Sequence, residues 1–238
     1  MKKGIFISFE GGEGVGKTTQ KELLEKTLVD MGYSVFVTDD PGGTTIGSHI
    51  RGIVRNKEFK ELDPKTELFL FLAGRAQLVN QKIRPALEEG KIVITDRFHH
   101  STLAYQGGAR SLDRDFIKKM NYFATDGILP DITFLLDLSP ELAFERMLPK
   151  NNKGKSMPVR QPSLALNLND GNMPRIHIDR IEREGLNFHK RVRKAFLKLA
   201  EEESERIILI DARKPIDEIA SLIRNHTLAL LNKKTTDS

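Results

Sequence analysis

Residues Phe9 to Thr19 read Phe-Glu-Gly-Gly-Glu-Gly-Val-Gly-Lys-Thr-Thr, a spacing suited to holding phosphate. Gly11, Gly16, Lys17 and Thr18 fit Gly-x-x-x-x-Gly-Lys-[Ser/Thr], the P-loop pattern. Glycines let the backbone curl so that several N–H groups face one anion, which side chains would block. Lys17 adds a point charge for the outer phosphates of a nucleotide, and the Thr18 hydroxyl is a ligand for Mg²⁺. A second pair, Asp96-Arg97, follows the run Ile-Val-Ile-Thr. A carboxylate there can hold Mg²⁺ through water, and a guanidinium there can fork onto a phosphate.

Elements with a defined order must carry these groups. Gly4–Phe9 is a β-favouring apolar run, and Leu23, Leu24, Leu28 and Met31 recur at helical spacing after Lys17. The loop therefore joins a strand to a helix N-terminus, whose dipole favours phosphate. Gly32 is expected at the helix C-cap and Tyr33–Thr38 as a second strand. Thr44 or Thr45 caps a helix through Ile46, Ile50, Ile53 and Val54. A long helix is expected from Pro64 to Glu89, with Pro85 bending or interrupting it. Lys91–Thr95 and Asp131–Leu138 read as buried strands, with a helix over Phe116–Phe123 between them. Pro140 opens a helix carrying Leu142, Phe144 and Arg146. Periodicity disappears from Leu148 to Met173, a stretch longer than ordinary loops. Helix returns over Ile178–Glu203, followed by strand Ile207–Ile210 and helix Pro215–Leu231. Residues 232–238 are polar and expected to form a flexible tail.

Alternating strands and helices predict an α/β fold, a doubly wound parallel five-stranded sheet with helices on both faces. No repeat or linker divides residues 1–231, which read as a single domain. Ligands in such sheets lie beyond the carboxyl ends of the strands. The stretches to examine are Glu10–Lys17, Asp40–Thr44, Asp96–Ser101, Asp137–Ser139 and Asp211–Arg213.

Composition narrows the classes. The 238 residues hold no cysteine, which excludes disulfides, thiolate chemistry and cysteine-ligated zinc. The N-terminal apolar run is too short for a signal peptide, and no run approaches the ~20 residues of a membrane span. A cytoplasmic protein with no membrane partner is expected. The formal charge of +5 suits an anionic substrate. Basic residues are dispersed outside the 148–173 stretch and show no stacking platform, so no nucleic-acid partner is expected.

The stretch Asp96-Arg97-Phe98-His99-His100-Ser101-Thr102-Leu103-Ala104-Tyr105-Gln106-Gly107, with Phe9-Glu10-Gly11 and Pro41-Gly42-Gly43-Thr44, resembles the bacterial-type thymidylate kinases from about Ile5 to Ile219. The resemblance implies a P-loop nucleotide kinase that moves a phosphoryl group from Mg-ATP to dTMP, giving dTDP and ADP, and a homodimer. It places ATP on Gly11, Gly12, Glu13, Gly14, Val15, Gly16, Lys17, Thr18 and Thr19, with Arg146 stacked on adenine. It places Mg²⁺ on Thr18 and Asp96, and dTMP among Glu13, Asp40, Arg51, Phe71, Arg75, Arg97, Ser101, Thr102 and Tyr105. Within that set Arg51 and Arg97 hold the acceptor phosphate and Glu13 reaches the sugar 3′-hydroxyl. Phe71 and Arg75 take the base, an arrangement that their i, i+4 spacing on one helix face allows. Thr102 touches the pyrimidine edge, and Tyr105 crowds the 2′ position. Gln106, His99 and His100 receive no role, and the histidines are expected to be exposed at a strand end rather than to bind a metal.

Lys17, Asp96 and Arg97 are the expected catalytic groups, together with an arginine from a mobile lid. That lid corresponds to residues 148–177 and is longer than the family's usual one. It offers Lys150, Lys153, Lys155, Arg160 and Arg175, of which Arg175 is preferred and Arg160 is second. Asp39-Asp40 also departs from the commoner Arg-Glu before Pro-Gly-Gly-Thr, reversing a local charge. Two other readings stay open on the residues alone. One is a P-loop kinase for a deoxynucleoside or another monophosphate; the other is a nucleic-acid-stimulated ATPase or nucleotide-gated switch.

Overall fold

The computed structural model describes residues 4–147 and 179–236. Five parallel strands form one sheet in the order β2-β3-β1-β4-β5. They are β1 (Ile5–Gly11), β2 (Val35–Asp39), β3 (Ile92–Asp96), β4 (Ile132–Asp137) and β5 (Ile207–Asp211). Their near-continuous Ile, Val, Phe and Leu content suits strands covered on both faces. Register aligns the carboxyl ends. Asp39 pairs with Asp96, Asp96 with Phe9, and Asp137 with Asp211. Four strands thus deliver polar groups along one edge.

The helices are α1 (Lys17–Asp30), α2 (Thr45–Arg55), α3 (Pro64–Leu78), α4 (Arg84–Glu88), α5 (His99–Thr102), α6 (Arg114–Thr125), α7 (Pro140–Met147), α8 (Leu186–Glu202) and α9 (Ile216–Thr236). One core joins Ile5, Ile7, Phe9 and Phe134 of the sheet to Leu24 and Leu28 of α1 and Ile219 and Ile223 of α9. A second packs Leu68 and Leu72 of α3 against Val192, Phe196 and Leu199 of α8, and a third gathers Phe6, Val93 and Phe98 with Leu78 and Ile83. Caps follow ordinary chemistry. Thr44 Oγ1 accepts from Gly47 N, and Asp63 accepts from Lys65 N and Thr66 N with Pro64 in the first turn. Gly32, at φ 85°, ends α1 as expected.

The expected long helix exists but changes pitch. Val79–Ile83 is a π-helical turn between α3 and α4. Pro85 lacks the N–H that would continue the ladder, which accounts for the widening just before it. A second π-helical turn, Leu103–Ala109, continues α5 and was not signalled by periodicity. Two boundaries move and one expected exposure fails. The returning helix starts at Leu186 rather than near Ile178, because residues 180–184 form turns held by Asp179, whose carboxylate accepts from Ile181 N and Glu182 N. The last helix runs to Thr236, so the stretch read as a tail from Asn232 is helical that far. Asn232, Lys233 and Lys234 contain no breaker, and helix simply propagates. Finally, His99 and His100 are buried inside α5 and not exposed. The expected lid, with Lys150, Lys153, Lys155, Arg160 and Arg175, lies outside the described residues. Among the described residues no helix is long and apolar enough to cross a membrane.

Phe134 is fully buried in central β4, with its ring 5.5 Å from that of Phe9. Phe134→Ala should cost about 3–5 kcal/mol from lost transfer energy and the cavity left behind. Urea unfolding checks this. A midpoint loss worth under 1 kcal/mol at unchanged slope would contradict the packing described.

Candidate active site

The P-loop is shaped by close backbone approach. At Gly11, φ 136°, a Cβ would lie 2.4 Å from Leu136 O. At Gly14, φ 67°, it would lie 2.7 Å from Ala143 O, so neither position admits another residue without strain. Gly16 occupies the α1 N-cap with no side-chain cap, leaving first-turn N–H groups for an anion. Lys17 folds back on the loop, donating to Gly12 O at 2.6 Å and Gly11 O at 3.3 Å. Burial and the neighbouring Arg97 lower its pKa, against Glu13, Asp96 and Glu10.

Arg97 stands at the centre. It takes φ 67°, a left-handed backbone unusual for a residue with a side chain. Its guanidinium donates to Gly11 O at 2.9 Å, Ser101 Oγ at 3.1 Å and Glu13 Oε1 at 2.5 Å, and lies 5.1 Å from the centre of the Tyr105 ring. Tyr105 O–H donates to the same Glu13 oxygen at 2.9 Å. Burial disfavours the arginine cation, but Glu13, Tyr105 and Asp96 more than offset it and raise its pKa. Burial likewise pushes the Glu13 carboxyl up. Arg97 and Lys17, then the Tyr105 hydroxyl, overcome that and bring it to about 2.

Sequence reasoning overlooked the group that holds this turn in place. Glu10 is fully buried at the end of β1 and accepts from Phe98 N, Ser101 N and Ser101 Oγ, the last at 2.6 Å. Its carboxyl is raised by burial, against the pull of His100, Ser101 and Arg97. A carboxylate closing an apolar strand was the available signal.

Arg75 is the largest fully buried side chain among the described residues. Its Nε donates to Asp40 at 2.5 Å, Nη1 to Thr102 Oγ1 at 2.7 Å and Asn121 Oδ1 at 2.5 Å, and Nη2 to Phe98 O at 3.1 Å. Four of its five N–H groups are committed, which leaves one for a ligand. Burial raises the Asp40 carboxyl, against the pull of Arg75. The reversed charge at Asp39 is answered by Lys21, whose ammonium donates to it at 2.6 Å. Arg51 donates to Pro41 O at 2.8 Å, and Arg146 to Ala212 O at 2.9 Å.

These groups meet in one cleft of ≈ 620 Å³, within the range of small-molecule sites. Glu13, Gly14, Gly16, Lys17, Thr18, Thr19, Asp40, Arg51, Phe71, Arg75, Asp96, Arg97, Ser101, Thr102, Tyr105 and Arg146 all line it. Gly11, Gly12 and Val15 instead back onto a small pocket against Leu136 and His189. Gln106 also reaches the cleft and donates to Glu67 Oε1 at 2.7 Å. Arg55, Asp179 and Glu182, not anticipated as site residues, also line it, with Arg55 Nε on Asp179 at 2.5 Å. Thr18 Oγ1 lies 3.3 Å from Asp96 Oδ2. A hydroxyl and a carboxylate side by side form a hard-oxygen pair that matches Mg²⁺.

A parallel sheet, a P-loop opening α1 and a second cluster of arginines in the same cleft define the class of P-loop nucleotide kinases. A family model described as thymidylate kinase matches residues 9–223. A thymidylate kinase of Geobacillus sp. (strain WCH70) is 42% identical over 220 residues, covering 92% of this chain and 94% of that protein. One from Exiguobacterium sp. (strain ATCC BAA-1283 / AT1b) is 40% identical over 230 residues, 97% of each chain. The crystal structure of thymidylate kinase from Ehrlichia chaffeensis superposes with a TM-score of 0.70 at 28% identity, covering 95% of this chain and 99% of that one. The chain belongs to the thymidylate kinase family.

Glu13 has a folded pKa of about 2, below its ordinary 4.5. Its contribution to stability is therefore complete above about pH 4.5 and is lost as pH falls toward 2. Glu13→Gln should be less stable than the parent at pH 7, and the gap should narrow below pH 4.5. A gap in unfolding midpoint that persists unchanged at pH 3 would contradict the pairing.

Proposed function

We propose that the protein transfers the γ-phosphoryl group of ATP to the phosphate of dTMP, giving ADP and dTDP for deoxythymidine nucleotide synthesis. The observation that carries this reading is the continuity of the cleft from the P-loop to the Phe71–Arg75 face through Arg97. Family membership supplies the acceptor. The site residues fit two anions meeting head to head. The P-loop N–H groups and Lys17 receive the donor phosphates, with Arg146 at the adenine end. Arg97 and Arg51 receive the acceptor phosphate, and Arg97 exchanges Glu13 for it. Glu13 is then free to accept from the sugar 3′-hydroxyl. Phe71 offers a ring face to thymine, and the uncommitted N–H of Arg75, oriented by Asp40 and Asn121, offers a donor beside Thr102. Tyr105, held by Glu13, narrows the sugar subsite.

The reaction needs no covalent intermediate. An acceptor phosphate oxygen bonds to the γ-phosphorus as the bond to the β-phosphate bridging oxygen breaks, and ADP leaves. Protein groups contribute alignment and positive charge. Mg²⁺, when held by Thr18 and Asp96, supplies further charge neutralisation on the phosphate oxygens. Arg175 is the preferred lid arginine and Arg160 the second, both outside the described residues. Residues 1–231 are read as one kinase domain. A homodimer is proposed as well, supported by exposed Phe69 on α3 and exposed Phe116, Tyr122 and Phe123 on α6.

A coupled assay of ADP formation over dTMP, dUMP, dCMP, UMP and thymidine tests the reading. The highest kcat/KM is expected with dTMP, and Lys17→Ala should lower kcat by about 10²–10³-fold. Faster turnover of thymidine or UMP, or full kcat in the lysine variant, would overturn it.

A further inference from the structure

Behind the cleft, His99 and His100 open α5, and Glu203 forms the C-cap of α8. One ring nitrogen from each histidine and one Glu203 carboxylate oxygen lie within 4.8 Å of one another. Both imidazoles are buried, at 5% and 2% exposure, with ring centroids 3.8 Å apart. His100 Nε2 lies 3.3 Å from Glu203 Oε2, and its Nδ1 lies 3.5 Å from Thr133 Oγ1. His99 Nδ1 is buried and has no hydrogen-bond partner. A plain His100–Glu203 ion pair accounts for two of the three side chains. It leaves the cost of stacking and burying His99 unanswered, and a buried ring nitrogen without a partner calls for an explanation.

We propose that His99, His100 and Glu203 form a binding site for a divalent late transition metal, Zn²⁺ foremost, distinct from the Mg²⁺ position at Thr18 and Asp96. Two imidazoles and a carboxylate are a three-ligand zinc set with one coordination position left open. Nitrogen donors favour Zn²⁺ over Mg²⁺, whereas the all-oxygen Thr18–Asp96 pair has the opposite preference, so the two ions sort themselves. Thr133 Oγ1 is placed to fix the orientation of the His100 ring.

Two features shape the affinity. Tetrahedral zinc with bonds of about 2.0–2.1 Å puts its ligand atoms about 3.3 Å apart and two bound imidazole centroids about 5 Å apart, so binding must gather the ligand atoms while splaying the two rings from their 3.8 Å separation. Glu203, at the mouth of the cluster and 21% exposed, is the one with room to move. Arg206 Nη2 also holds Glu203 Oε2, at 2.5 Å, and its cation competes with the metal for that oxygen. Bound metal would clamp the end of α8 to the segment that carries Ser101 and Thr102 into the cleft.

The test uses the full-length protein, stripped with chelator and saturated with Mg²⁺. ZnCl₂ is titrated by calorimetry, and Co²⁺ by visible absorption. We expect one equivalent of Zn²⁺, with Kd raised at least tenfold by Glu203→Gln and by His100→Gln, and lowered several-fold by Arg206→Gln. Co²⁺ should give tetrahedral d–d bands that disappear in Glu203→Gln. Glu203→Gln alters a partly exposed position and keeps the test valid if His100→Gln misfolds. No uptake by the parent protein, or uptake that Glu203→Gln leaves unchanged, overturns the proposal.

Discussion

The Arg97 guanidinium is the contact on which the site depends, because it ties the P-loop and the turn after β3 into one surface. It bonds the P-loop through Gly11 O and Glu13, and the start of the next helix through Ser101. Its own backbone sits at φ 67°, and unusual backbone of this kind persists only where the surroundings enforce it. Glu10 does the enforcing. Its buried carboxylate gathers Phe98 N, Ser101 N and Ser101 Oγ, which fixes the turn after β3. Arginine suits this hub better than lysine, since its planar fork can serve several acceptors while keeping its charge. Glu13 gives the guanidinium an anionic partner where the acceptor phosphate is proposed to bind. Ligand binding then replaces one anion by another and avoids burying an unpaired charge.

A second buried arginine repeats the principle at the base end. Arg75 donates to Asp40, Thr102, Asn121 and Phe98 O, groups drawn from three parts of the chain. The segment after residue 178 is anchored onto the same body. Arg180 pairs with Glu67 and also donates to Val54 O, while Arg55 holds Asp179. Glu67 is thus shared by Arg180, Arg110 and Gln106. Burial alone would raise its carboxyl, but these partners outweigh that and lower it. This network ties the segment that begins at Asp179 to α2 and α3.

Much of this was legible beforehand. Apolar runs ending in carboxylates fixed all five strands to within about two residues, and the glycine spacing located the phosphate cradle. Thr44 and Gly32 acted through local chemistry that does not depend on the rest of the fold. What escaped depends on long-range partners. Glu10 looks like any strand-end carboxylate until Ser101, 91 residues away, is folded onto it. His99 and His100 read as polar and were expected exposed, yet the packing of α5 against β1 and α8 buries both. The π-helical turn through Tyr105 and Gln106 has no 3.6-residue signature. Asp179 stops the returning helix by accepting backbone N–H groups in a turn, a competition that periodicity cannot register. At Asp39 the negative charge finds Lys21, one turn along α1 from Lys17.

The central claim is that Arg97 recognises the acceptor through its phosphate. Calorimetric titration of Arg97→Gln with dTMP and with thymidine, each against the parent protein, tests it most directly. The account predicts that dTMP affinity falls by about 10–10²-fold, the worth of a charge-assisted contact, while thymidine affinity changes little. Equal losses for dTMP and thymidine would contradict it, since the arginine would then be supporting the pocket and not reading the phosphate.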